Sequence, residues 1–158
     1  ITASSAFASL PAANLKDADI QRIWRATGSP AHLIVDIGST LTLDVVSLHN
    51  TSLRPNDTVQ VRASTSDPTV TSDLSYDSGV IASGVDPVWR RFIHFLPSSV
   101  SYRYLRIDMT QTDTPEAGRL PPRRTRAVLG CEVPLFHNPG TGCFSAAIVQ
   151  YLRYGRYA

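Results

Sequence analysis

The sequence lacks the patterns of a membrane-spanning helix and of a cysteine-based metal site. No apolar run approaches the roughly 18 residues that cross a bilayer as a helix. Cys131 and Cys143 are the only cysteines, and their spacing is not that of a CxxC motif. A disulfide between them and two buried free thiols are both open alternatives. No signal peptide is visible in the sequence, which begins at Ile1.

Signatures of catalysis are missing as well. The sequence contains no GxSxG nucleophile elbow, no glycine-rich phosphate loop and no cysteine with a histidine partner in its sequence context. Its histidines are scattered, without the HxxxH or HxH spacing that brings two imidazoles to one metal. We therefore predict that the chain is not an enzyme. The histidines are His32, His49, His94 and His137.

Charge is scarce and unevenly distributed. Charged residues make up 18% of the 158 residues, and 11 prolines outnumber 9 glycines, a loop-rich profile typical of an all-β domain. Residues 1–99 carry 7 Lys/Arg and 9 Asp/Glu, whereas residues 100–158 carry 8 and 4. Lys16 is the only lysine, and the abundance of arginine indicates either protein interfaces or the codon bias of a GC-rich genome.

Apolar residues recur with a period of two, which places alternate side chains on one face of a strand. This pattern predicts strands around residues 33–37, 43–48, 59–63 and 102–109, separated by short turns without intervening helices. Such an arrangement favours antiparallel strands in a sandwich or barrel. We predict an all-β jelly-roll sandwich.

Several motifs, in order, resemble the galactose-binding-like (discoidin, or F5/8 type C-like) domains. The opening loop runs from Asn14 to Asp19, Trp24-Arg25 follows, and Val35-Asp36-Ile37-Gly38 ends a strand. A late strand at residues 102–108 and a closing segment at residues 116–120 complete the match, which covers residues 3–120. The resemblance implies a jelly-roll β-sandwich in which Trp24 plugs one end and the opening loop lies near a bound calcium.

Three segments, taken together, resemble more narrowly the structural proteins of tailed-bacteriophage virions. They are residues 10–15, 76–79 and 116–120. This resemblance implies a tail, fibre, adaptor, baseplate or capsid-decoration protein, located in the virion after assembly in the host cytoplasm. Its partners would be other virion subunits, as a homo-oligomer in a symmetric particle. The alternatives are a carbohydrate-binding module that recognises host surface glycans, and an accessory domain of a larger hydrolase.

The resemblance implies a calcium site at Asp17, Asp19 and Glu116, whose carboxylates are hard oxygen ligands. Ala18 stands where the family usually has glycine, and the usual threonine before Trp24 is missing. The alternative is structural: Asp17 or Asp19 caps a short helical turn that runs to Trp24.

A saccharide site in this family lies in the loops at one end of the barrel and uses aromatic, arginine and asparagine side chains. The candidate residues here are His32, Asn50, Arg54, Trp89 and Arg90. The structural alternative is that Trp89 alternates with Ile93 and Phe95 and is buried, which would leave no stacking platform.

We divide the chain into a β-sandwich at residues 1–120 and an extended C-terminal arm at residues 121–158. Arginines interleaved with tyrosines favour a protein interface, because both residue types bury large areas with directed hydrogen bonds. The alternatives are a solvated tail and a segment that binds nucleic acid. The expected partners are other protein subunits and not nucleic acid. Deletion of the arm should leave a folded sandwich. The predicted interface residues are Arg119, Arg123, Arg124, Arg126, Tyr151, Arg153, Tyr154, Arg156 and Tyr157.

Overall fold

The computed structural model describes residues 1–17, 22–97 and 101–112, together with the backbone of residues 126–130. Within these ranges the only helical element is a short 3-10 helix at Ala12–Lys16. No helix in the part of the chain that is described is long and apolar enough to cross a membrane. The strands are β1 (Thr2–Ala3), β2 (Ala31–Thr42), β3 (Val45–His49), β4 (Thr58–Ser64), β5 (Tyr76–Asp77), β6 (Ile81–Ala82), β7 (Phe92–Phe95), β8 (Ser101–Thr110) and β9 (Arg126–Gly130).

The strands form two antiparallel sheets. The larger sheet has the order β1-β2-β8-β4-β5, and β6 also pairs with β4. The smaller sheet has the order β7-β3-β9. Neighbours in each sheet are mostly distant in sequence, as in a jelly roll, where successive strands cross between the two layers. The predicted all-β jelly-roll sandwich is confirmed.

Alternation along the long strands places the apolar residues in the space between the sheets. Leu33, Leu105 and Ile107 from the larger sheet are fully buried, and so are Val46 and Leu48 from the smaller sheet. Period-two alternation explains this, because every second side chain of a strand lies on the same face. The four strands predicted from sequence are therefore confirmed, with β2 extending to Thr42.

Two features of the family resemblance have a clear structural role. Trp24 is buried in the core, and its indole N–H donates to the carbonyl of Ser5 at 3.0 Å. Asp36 accepts a hydrogen bond from the Gly38 amide at 2.8 Å, and Gly38 has φ +90°, a conformation that favours glycine. The regular pairing of β2 with β8 breaks between Asp36 and Leu41, so this turn ends the first part of the ladder.

Residues 126–130 correct the prediction that the whole segment after residue 120 is an appended arm. They form β9, which pairs antiparallel with β3 in a register that joins Val45 to Gly130 and His49 to Arg126. The open side of β3 offers unpaired backbone groups, and β9 satisfies them. This part of the predicted arm is thus a strand of the sandwich, while residues 113–125 and 131–158, including Cys131 and Cys143, lie outside the described residues.

Candidate functional site

Two loops emerge at the same end of the sandwich. The first, residues 50–57, joins β3 to β4, and the second, residues 83–91, joins β6 to β7. Leu48 pairs with Phe92 and Thr58 pairs with Ala82, so both loops leave the sheets at neighbouring positions. We call these two loops the loop end.

Asp57 fastens the first loop from within. Its side chain is 1% exposed, and its carboxylate accepts the Arg54 amide at 2.7 Å and the Thr112 amide at 3.0 Å. The Thr112 hydroxyl lies 3.3 Å from the same carboxylate. Because a buried carboxylate needs hydrogen-bond donors, these contacts tie the loop to the chain that follows β8.

Backbone and hydroxyl groups bind the two loops to each other. The Ser83 amide donates to the Asp57 carbonyl at 2.7 Å, and the Ser83 hydroxyl donates to the Arg54 carbonyl at 2.5 Å. The Gly84 amide donates to the Pro55 carbonyl at 3.0 Å, and the Thr51 amide donates to the Arg90 carbonyl at 3.1 Å. The loop end is therefore one hydrogen-bonded unit.

The second loop carries a projecting tip at residues 86–90. Asp86 Oδ1 accepts the amides of Val88 at 2.7 Å and Trp89 at 3.0 Å, and the Arg90 amide donates to the Asp86 carbonyl at 2.7 Å. An aspartate that accepts amides two and three residues later fixes a tight turn. Val85 is buried just before the tip, so the turn starts from the core.

Trp89 lies at this tip with 78% of its surface exposed, next to Val88 at 79%. The alternative that Trp89 is buried is therefore wrong. The reason lies in β7, where Phe92 points into the core and Phe95 remains 63% exposed. Because β7 carries a phenylalanine on each face, period two groups its residues by face but does not fix which face is internal. Burial of a large apolar side chain contributes about 1.5–3 kcal/mol, and the exposed indole of Trp89 does not gain this stabilisation.

Four of the five predicted saccharide residues lie in the loop end. Asn50 and Arg90 both have positive φ, 52° and 51°, at the points where the chain turns out of β3 and towards β7. The Thr51 amide donates to the Arg90 carbonyl, which holds these two turns together. Arg54 lies in the first loop, and Trp89 lies at the tip of the second.

His32 lies elsewhere. It belongs to β2 between buried Ala31 and Leu33, so its ring is on the outer face of the larger sheet. Three strand spacings, about 14 Å, separate β2 from β6, where the second loop begins. The sequence alone could not separate His32 from the loops, because His32 is close to a strand end.

The outer face around His32 carries a charged cluster. Asp108 accepts from Arg62 Nη2 at 2.6 Å and from Arg106 Nη2 at 3.0 Å, and Arg106 Nη2 lies 3.4 Å from His32 Nδ1. Burial, together with the positive charge of Arg106, lowers the pKa of His32 below its ordinary value. This cluster stabilises the sheet face and has no contact with the loop end among the described hydrogen bonds.

The predicted calcium site remains a prediction. Asp17 lies just after the 3-10 helix at Ala12–Lys16 and is 3.2 Å from Arg22 Nε. Asp17 is the C-cap of this helix, and residues 18–21, where the alternative turn towards Trp24 would run, lie outside the described residues. Asp19 and Glu116 lie outside the described residues, and within those residues no group of three or more His, Cys, Asp or Glu side chains could hold a metal.

The predicted partner interface is also untested. Arg126 lies in β9, where its backbone pairs with His49. The other predicted interface residues lie outside the part of the chain that the structure describes. They are Arg119, Arg123, Arg124, Tyr151, Arg153, Tyr154, Arg156 and Tyr157.

Reasoning from sequence missed the residues that shape the loop end. Asp57, Ser83 and Asp86 fix the two loops, although none of them was among the predicted site residues. For Asp86 a signal was present, because Asp-Pro dipeptides commonly initiate turns. For Asp57 and Ser83 the signal is three-dimensional, since each acts through a partner far along the chain.

Comparisons with known proteins place this architecture among small all-β domains. No family model and no curated protein matches the chain. It is similar to a variant of chitosan-binding module 1 derived from chitosanase/glucanase from Paenibacillus sp. IK-5, at 18% identity and a TM-score of 0.57, covering 80% of this chain and 90% of that chain.

A second similar structure is reduced XRCC1 bound to the DNA pol beta catalytic domain. Here the identity is 14% and the TM-score 0.59, and the match covers 82% of this chain and 94% of that chain. At these identities the likeness shows the fold alone. The fold is of the jelly-roll, galactose-binding-like kind, as the sequence motifs predict, and these likenesses show no link to a phage.

Proposed function

We propose that this chain is a carbohydrate-binding module whose loop end holds a saccharide against Trp89. The observation that carries the proposal is the indole at 78% exposure on a tip fixed by Asp86. Aromatic rings offer a flat apolar surface with a defined geometry, which suits the C–H face of a sugar ring. The fold shared with a chitosan-binding module supports this choice.

The residues beside Trp89 supply the polar part of such a site. Arg90 follows directly in the chain, and Asn50 is exposed on the adjoining turn. A guanidinium offers several fixed donors, and an amide offers both donors and an acceptor, which match sugar hydroxyls. Because hydrogen bonds already order both loops, binding would cost little additional loop entropy.

A protein-docking role is the second candidate, and one observation favours it. XRCC1, which has a similar fold, is bound to the catalytic domain of a DNA polymerase in its structure. The same exposed tip would serve a protein partner, because tryptophan and arginine are enriched at interface hot spots. The more specific role in a phage virion, the oligomeric particle and the structural calcium remain predictions from the sequence motifs.

The test is affinity electrophoresis of the full chain in gels that contain one polysaccharide each. The panel consists of chitin and chitosan oligomers coupled to the matrix, galactan, polygalacturonate and its methyl ester. We expect retardation by at least one polysaccharide, and we expect Trp89→Ala to weaken it at least about tenfold, as for an interfacial aromatic hot spot.

Phe95→Ala is the matched control, because it removes another exposed aromatic side chain at the far end of β7. It should leave retardation unchanged. Both variants should fold, since both side chains are largely exposed. Failure of every polysaccharide to retard the chain, or equal losses in the two variants, would refute the proposed function and favour the docking role.

A further inference from the structure

We infer that the loop end prefers saccharides that carry carboxylate or other anionic groups over saccharides that carry ammonium groups. This inference rests on the proposed function and specifies its ligand class. It follows from the charges that surround the exposed indole, which differ from those that a cationic polymer requires.

Two of the three arginines of the loop end are sequence neighbours of Trp89, and the third, Arg54, lies in the first loop. Arg90 and Arg91 follow Trp89 directly, and neither forms an ion pair with any described residue. Arg91 is exposed and directly precedes β7. Two guanidinium groups without carboxylate partners create a local positive potential and can bind a carboxylate in bidentate fashion.

The carboxylates of the loop end are used by the protein itself. Asp57 is 1% exposed and accepts two backbone amides, so it is not accessible to a ligand. Asp86 directs one oxygen to the amides of Val88 and Trp89. Asp86 is the one exposed carboxylate of the two loops, and Arg90 and Arg91 outnumber it, so the charge next to the indole is positive.

An ammonium-bearing polysaccharide such as chitosan would be repelled by this surface, although the protein shares its fold with a chitosan-binding module. A polyuronate would meet attraction, because each ring combines an apolar face for Trp89 with a carboxylate for Arg90 or Arg91. The two interactions are separable by experiment, since esterification removes the charge and leaves the sugar ring.

The experiment measures dissociation constants of the full chain for oligogalacturonate, its methyl ester and a glucosamine oligomer by calorimetry. We expect binding to be tightest for oligogalacturonate and weakest for the glucosamine oligomer. The variant Arg91→Gln should weaken oligogalacturonate binding by about three- to fivefold and change binding of the ester less than about twofold, as expected for one exposed charge pair. Raising the ionic strength towards about 0.5 M should shrink the difference between acid and ester.

Controls separate this site from general attraction to a basic protein. Arg103→Gln also removes one positive charge, but Arg103 lies towards the other end of β8 and pairs with Asp36. Its effect on oligogalacturonate binding should therefore be small beside that of Arg91→Gln.

Binding of oligogalacturonate that survives Trp89→Ala would overturn the inference, because it would come from another surface. Equal binding of acid and ester would overturn the charge preference and leave the proposed function intact. Absence of all saccharide binding would overturn both.

Discussion

Asp57 offers a sharp test of how the loop end is held together. The substitution Asp57→Ala removes a carboxylate that is 1% exposed and that accepts the amides of Arg54 and Thr112. The residue's own backbone also joins the two loops, through its carbonyl and the Ser83 amide. Alanine preserves this backbone link, so the substitution isolates the contribution of the side chain.

The magnitude follows from the groups that lose their acceptor. A buried donor left without a partner costs about 1–3 kcal/mol. Two backbone amides are affected here, and because both bonds are only partly buried, each costs an amount in the lower part of that range. The Thr112 hydroxyl belongs to an exposed residue and can turn to water, so it adds little. We therefore expect the free energy of unfolding to fall by about 2–4 kcal/mol, which for a domain of this size lowers Tm by about 5–15 °C.

The assay is urea denaturation of the full chain, followed by far-UV circular dichroism. The free energy of unfolding of Asp57→Asn should fall by about half as much as that of Asp57→Ala, because the asparagine side chain keeps one oxygen acceptor. The matched control is Asp86→Ala, which also removes an aspartate that accepts two amides in the loop end, but at an exposed position, and should cost no more than about 1 kcal/mol. The reasoning about the buried carboxylate is wrong if the free energy of unfolding of Asp57→Ala lies within about 1 kcal/mol of that of the unaltered chain. It is also wrong if Asp57→Ala loses no more free energy of unfolding than Asp86→Ala.

Two further predictions concern β9 and His94. Deletion of residues 121–158 removes β9 and its five-residue pairing with β3, so the free energy of unfolding should fall by about 2–5 kcal/mol; an unchanged melting curve would show that β9 contributes nothing. Burial lowers the pKa of His94 below its ordinary value of 6.5, and its ring is hydrogen-bonded to the Tyr76 hydroxyl at 2.6 Å. The unfolded chain therefore binds a proton more readily, and stability should be complete above about pH 6.5 and decline as the pH falls below it. His94→Gln should flatten that decline in urea titrations at several pH values, and an equally steep decline would contradict this assignment.

The long strands were predictable because their signal is local. Alternation of apolar residues in β2, β4 and β8 identifies both the strand and the buried face. The two-residue strands β1, β5 and β6 are too short for any period to be visible. They exist because neighbouring strands offer unpaired backbone groups.

β9 and the orientation of β7 could not be predicted for a related reason. β9 is defined by pairing with β3, whose residues lie about eighty positions earlier in the chain, so nothing in its own five residues distinguishes it from a connecting segment. In β7, period two correctly places Ile93 and Phe95 on the same face of the strand. It does not predict whether that face points into the core or towards solvent. Phe92 takes the inward position, and Trp89 lies before the strand begins.

The candidate site was predictable in its residue types but not in its construction. Asn50, Arg54, Trp89 and Arg90 could be proposed because exposed aromatic and polar residues in loops are typical of saccharide sites. What brings them together is a set of hydrogen bonds between segments about thirty residues apart, such as that from Ser83 to the Arg54 carbonyl. Such contacts leave no periodic trace in a sequence.

The most direct test of the central claim uses the two tryptophans as reporters. Trp24 is 3% exposed and Trp89 is 78% exposed, so acrylamide should quench mainly Trp89. If a saccharide stacks on the tip, saturating oligogalacturonate or its methyl ester should protect the accessible emission and shift it to shorter wavelength. Trp89→Phe, which retains Trp24 as an internal reference, should show no such change. A Trp89 that stays fully quenchable in the presence of every saccharide of the panel would contradict the account.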